Sequence, residues 1–151
     1  MKFITLRKCL QVALILAIPS LMWGCGHGGV TSPNEVVGKV ASVSVIPSGN
    51  GVYVIQGDNM GGVAGMELTI SYDSPTLSSP TVTQGEFIAG ALMVANTTAP
   101  GTIKIAIITA WPKAFTGSGP IATVSFAAVT GKGSVSIASV KMVDAKGAPV
   151  P

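Results

Sequence analysis

The sequence is short of almost everything that catalytic or nucleic-acid chemistry requires. It holds one histidine, two cysteines and a single arginine, and only 10% of its 151 residues are charged. The arginine, Arg7, sits with Lys2 and Lys8 ahead of an apolar run, "CLQVALILAI", so the excess of nine basic over six acidic residues belongs to that N-terminal segment. Beyond it, Lys39, Lys104, Lys113, Lys132, Lys141 and Lys146 balance Glu35, Asp58, Glu67, Asp73, Glu86 and Asp144. With no surplus cations to displace counterions and no arginine to read guanine, a nucleic-acid partner is not expected.

The scarcity of histidine and cysteine excludes further classes. Cys9 lies within the apolar run, which leaves Cys25 unable to form an internal disulfide. His27 lies two residues beyond it in a glycine-rich stretch, a place for a spacer rather than a general base. A zinc site of the usual nitrogen and sulfur type lacks ligands, and a Ser-His-Asp arrangement would have to recruit His27 from a non-rigid segment. Among the carboxylates, Asp58, Asp73 and Asp144 occupy turn sequences, where aspartate serves backbone hydrogen bonds. No enzyme, no cofactor and no metal site is expected.

Long apolar runs are also missing. "CLQVALILAI" is shorter than the roughly 20 residues that span a bilayer and is closed by Pro19, so residues 1–24 follow the plan of a secretory signal. Gly24 before Cys25 resembles the lipobox of bacterial lipoproteins, with Met22 where leucine is commoner; lipidation of Cys25 would explain the odd cysteine. The alternative is an ordinary signal peptide cut between Gly24 and Gly29. The expected location is the cell envelope, lipid-anchored at the outer membrane or cell surface. Residues 25–38, rich in Gly, Ser and Pro, read as a flexible tether, and residues 39–151 as one domain.

What is abundant in that domain is Val, Ile, Thr, Ser and Gly, a β-sheet composition. Short alternating segments recur: Val40–Ile46, Val52–Gln56, Met66–Tyr72, a strand around Thr81–Thr83, Ala91–Asn96, Thr102–Thr109, Ile121–Val129 and Ser134–Val143. Asn50-Gly51 supplies a tight hairpin turn. Segments of this length and spacing, without a helical period, predict a β-sandwich or barrel. Alternation turns Met66, Leu68, Ile70 and Tyr72 inward, and Glu67, Thr69 and Ser71 outward. Aromatic rings are few; Trp111 and Phe115 form the one candidate exposed pair, read here as a cap on one end of the sandwich.

Five stretches in order resemble a cohesin domain, the module that binds dockerins in cellulosomes and other bacterial surface assemblies. They are "NMGGVAGMELTISYDSPTL" (Asn59–Leu77), "QGEF" (Gln84–Phe87), "GTIKIAIIT" (Gly101–Thr109), "GSGPIATVSF" (Gly117–Phe126) and "VDAKGAPV" (Val143–Val150). The resemblance implies an all-β jelly-roll sandwich of eight to nine strands, with strands three, five, six and eight forming the dockerin-binding face. Carried onto this chain, it puts Glu67, Thr69 and Ser71 of strand three on that face; Glu67 holds the place, five before the Tyr of the Tyr-Asp pair, of an acidic dockerin contact in some cohesins. From strand six it adds Lys104, Ala106 and Ile108, with Ile103, Ile105 and Ile107 in the core. The ninth strand should begin about where the sequence stops, which predicts an open edge on strand one.

The expected function is a non-catalytic, lipid-anchored surface protein whose cohesin-like domain binds a protein partner, a dockerin-like, calcium-bearing one. Two alternatives are a carbohydrate-binding sandwich with a polysaccharide partner, and a structural envelope protein that self-associates through the open strand-one edge.

Overall fold

A computed structural model describes residues 39–151 apart from Trp111. The expected signal segment and tether, Cys25, His27 and Trp111 lie outside the described residues. The described residues form eight strands: β1 (Ser42–Gly49), β2 (Val52–Asp58), β3 (Gly65–Tyr72), β4 (Leu77–Gln84), β5 (Leu92–Asn96), β6 (Thr102–Ile108), β7 (Gly119–Val129) and β8 (Val135–Val143). They form two four-stranded sheets, ordered β1-β2-β7-β4 and β5-β6-β3-β8, and every pairing is antiparallel. Among the described residues the single helical element is a short 3-10 turn at Glu86–Ile88. No helix among the described residues is long and apolar enough to cross a membrane.

Period-two alternation accounts for the layering. In β3, Met66, Leu68, Ile70 and Tyr72 are buried while Glu67 and Ser71 are exposed; in β6, Ile103, Ile105 and Ile107 are buried while Lys104, Ala106 and Ile108 are exposed. Across the sandwich these side chains join Ile55 of β2 and Ile121, Val124 and Phe126 of β7 in one core. Each fully buried Ile or Leu contributes roughly 1.5–3 kcal/mol, so β3 and β6, the two central strands of their sheet, are strongly held in register.

Both ends of the core are closed by rings. At one end Phe115 is buried, its N–H donates to the Val63 carbonyl at 2.7 Å, and its ring lies 5.7 Å from that of Phe87. At the other, Tyr72 packs 4.9 Å from Phe126, and the Tyr53 hydroxyl donates to the Gly133 carbonyl at 3.1 Å. Phe115 is therefore part of an end cap rather than an exposed ring.

Two glycines are dictated by geometry. Asn50 and Gly51, with φ of 50° and 73°, make the two-residue turn that joins β1 to β2, a conformation that glycine and asparagine tolerate best. Gly85 donates its N–H to Ile121 at 2.8 Å, and a Cβ there would collide with the Pro120 carbonyl. That close approach ties "QGEF" to β7 and aims Ile88 into the core.

Strand ends differ from the sequence expectation by a few residues. The largest change is β4, which covers Leu77–Gln84 rather than a few residues around Thr81–Thr83. Its "LSSPTVTQ" has weak local strand preference, with Pro80 inside it, and β4 is an edge strand, where proline is tolerated. After β8 the chain turns at Asp144 and returns: Val143 bridges Pro149, and the Val150 N–H donates to the Met142 carbonyl at 3.0 Å. Among the described residues β1 is the terminal strand of its sheet.

Candidate protein-binding face

The outer face of the β5-β6-β3-β8 sheet is built by strand register. Leu92, Ile108, Gly65 and Val143 form one row across the four strands. Val94, Ala106, Glu67 and Lys141 form the next, followed by Asn96, Lys104, Thr69 and Ser139. The face therefore passes from an aliphatic end to a polar one within the length of one strand.

All six residues expected on this face are brought together there. Glu67, Thr69 and Ser71 project from β3, and Lys104, Ala106 and Ile108 from β6, paired as Glu67–Ala106 and Thr69–Lys104. Ile108 does not bend inward at a bulge: it is 57% exposed and in register with Gly65. Leu92 (65% exposed) and Val94 (60%) of β5 extend the apolar end. A contiguous exposed cluster of this kind, rimmed by polar groups, is the usual mark of an interaction surface.

Glu67 has no opposite charge nearby in sequence, but β8 places Lys141 directly across from it. Lys104 is the cation without a carboxylate in register, flanked by Thr69 and Asn96.

The sequence reading missed Leu92, Val94, Ser139 and Lys141. The β5 residues carried a signal, since "LMVAN" alternates, but which partners they face depends on register with β6. The β8 residues carried a misleading one. A bulge at Ala138, between the Thr69–Ser139 and Ile70–Ile137 pairs, switches the phase, so that Val135 and Ile137 point inward before it and Val140 and Met142 after it.

Two further carboxylates serve turns. Asp73 accepts from the Thr76 hydroxyl at 2.7 Å, and its carbonyl caps the turn into β4. Asp144 accepts from the backbone N–H groups of Ala148 and Lys146, each at 2.8 Å, which hold its carboxyl below the ordinary value. Among the described residues no three His, Cys, Asp or Glu side chains gather as a metal site.

Comparison with known proteins agrees with this geometry. None of the curated protein sequences matches the chain. Solved structures share the fold at low identity. A non-cellulosomal cohesin from the archaeon Archaeoglobus fulgidus is 20% identical, with a TM-score of 0.58 over 74% of this chain and 76% of its own. A type II cohesin domain from the cellulosome of Acetivibrio cellulolyticus is 16% identical, with a TM-score of 0.60 over 74% and 88%. The cohesin of a type I cohesin–dockerin complex from Clostridium thermocellum is 12% identical, with a TM-score of 0.60 over 74% and 92%. The family model for the cohesin domain matches residues 37–148, and the chain belongs to the cohesin family.

Proposed function

We propose that this protein is a non-catalytic, lipid-anchored envelope protein whose β5-β6-β3-β8 face docks a dockerin-like protein. The observation that carries the reading is the exposed aliphatic cluster of Leu92, Val94 and Ile108, set on the outer face of the sheet and bordered by Glu67, Lys104, Thr69 and Lys141. Backbone groups inside the sheet are already paired, so binding relies on side chains: the aliphatic end supplies burial, and the hydroxyls and charges fix orientation. Related cohesins from Acetivibrio cellulolyticus and Clostridium thermocellum were solved in complex with dockerins, which supports the same class of partner.

The outward side chains of this face include no aromatic ring, whereas sugar-binding sandwiches stack pyranose rings on aromatic planes. A second reading, self-association through β1, is favoured by one observation: β1 ends its sheet among the described residues and carries no charged side chain to block pairing.

Affinity capture from envelope and secreted extracts, with and without calcium, tests the leading reading. A calcium-dependent partner lost in a Glu67→Lys, Thr69→Arg double variant supports it. Retention on insoluble polysaccharide without a protein partner favours the sugar-binding alternative, and dimers in sedimentation that a Ser44→Lys change abolishes favour self-association.

A further inference from the structure

We infer that residues 144–151 are a clasp that closes the free edge of β8 against strand pairing with a second copy of the chain. Among the described strands β8 is bonded to β3 on one side only. On its other side the segment that follows engages the main chain. The Val150 N–H donates to the Met142 carbonyl at 3.0 Å, and the Asp144 N–H to the Ala148 carbonyl at 2.8 Å. Val143 and Pro149 stand opposite each other between these bonds. The turn that brings the segment back is itself fixed. The Asp144 carboxylate accepts from the Lys146 and Ala148 N–H groups, each at 2.8 Å, and the Gly147 N–H donates to the Asp144 carbonyl at 3.0 Å. Gly147 has a φ of 81°, a region that favours glycine. Half-buried Val150 packs against the core and anchors the far side.

Proline gives the clasp its direction. Successive residues of a strand aim their N–H and C=O groups to opposite sides. Ala148 and Val150 aim theirs at β8, so Pro149 faces outward, where it has no N–H to offer. Pro151 is the next residue in the same alternation. The clasp therefore satisfies β8 and presents an outer edge poor in donors. Further along, β8 is protected by the bulge at Ala138 and by exposed Lys141. The groups of Val140 lie on the same free side as those of Met142, and Ile137, Val140 and Met142 are only half-buried. Without the clasp, the run from Val140 to Val143 would offer open backbone beside aliphatic surface. Two copies could satisfy each other there by antiparallel pairing of the same run. Lys141 and Val143 also border the β5-β6-β3-β8 face, so a strand added at this edge would extend the sheet that carries it.

Sedimentation velocity over a concentration series tests the clasp, at high salt to screen Lys141 and in a Ser44→Lys background that blocks pairing through β1. The Ser44→Lys parent is expected to stay monomeric. Asp144→Ala with Gly147→Val releases the clasp, and Pro149→Thr with Pro151→Thr keeps it while restoring outward donors. Each pair should produce concentration-dependent dimers. In the first, exchange of the Val140 amide should slow at least about tenfold as the dimer forms; in the second, exchange of the amide introduced at position 149 should slow likewise. Circular dichroism melts check that each variant folds, and if releasing the clasp unfolds the domain, the proline pair decides. Folded variants that stay monomeric overturn the inference, as do dimers that leave those amides unprotected. A parent that already dimerises with Val140 protected overturns it as well.

Discussion

Glu67 on β3 stands directly opposite Lys141 on β8, so the acidic residue that resembles a dockerin contact has a cation of its own chain as neighbour. Cross-strand pairs of opposite charge contribute roughly 0.2–1 kcal/mol. The face carries two lysines, Lys141 across from Glu67 and Lys104 across from Thr69, against this one carboxylate.

Core and face residues of the same strand should respond oppositely to truncation. Ile70 is fully buried between β6 and β8, and Ile70→Ala is expected to cost about 2–5 kcal/mol in urea denaturation. Thr69→Ala, one residue away on the outer face, should cost less than about 1 kcal/mol. Equal losses would contradict the alternation on which the face is assigned.

Gly85 should be intolerant where Gly61 is not. A Cβ at Gly85 meets the Pro120 carbonyl, so Gly85→Ala is expected to destabilise by about 1–3 kcal/mol as β7 and the 3-10 turn are pushed apart. Nothing lies within 4 Å of a Cβ at Gly61, and Gly61→Ala should be neutral or stabilise by up to about 1 kcal/mol. Thermal melts of the two variants read the contrast directly.

Asp144 gives the fold an acid-sensitive turn. The Ala148 and Lys146 N–H groups hold its folded pKa below the ordinary 3.8, so its contribution is complete above 3.8 and is lost as pH falls through the lower folded value. Asp144→Asn removes the charge, and the stability gap between it and the native protein should close as the pH is lowered through that window. A gap that persists in strong acid would mean that Asp144 acts by shape and not by charge.

The proposed lipid anchor is tested at Cys25. Cys25→Ser is expected to abolish incorporation of labelled palmitate and to release the protein from the detergent phase on partitioning. Unchanged labelling would move the lipid elsewhere, and no labelling of the native protein would favour an ordinary signal cut between Gly24 and Gly29.

Much of this architecture was legible because β3 and β6 are central strands with one buried face. Burial there selects Ile103, Ile105 and Ile107 over Lys104, Ala106 and Ile108, and period two sets the latter three, with Glu67, Thr69 and Ser71, on the outer side of the sheet. What stayed hidden depends on contacts between strands. Lys141 reaches the face only because the bulge at Ala138 resets the phase of β8, and Leu92 joins Ile108 only through the β5–β6 register. β4 was underestimated because its strand state is imposed by pairing with β7, against the local preference of Ser78, Ser79 and Pro80.

The most direct test of the docking face is a calorimetric titration of the protein with calcium-loaded dockerins, repeated with Ile108→Arg. Ile108 is exposed, so the variant should fold with a melting temperature close to native. Saturable binding to the native protein that falls at least about tenfold in Ile108→Arg is the predicted result, as expected for a charge placed in the apolar centre of an interface. Equal affinity of the two proteins for the same dockerin would place the binding surface elsewhere and contradict the account.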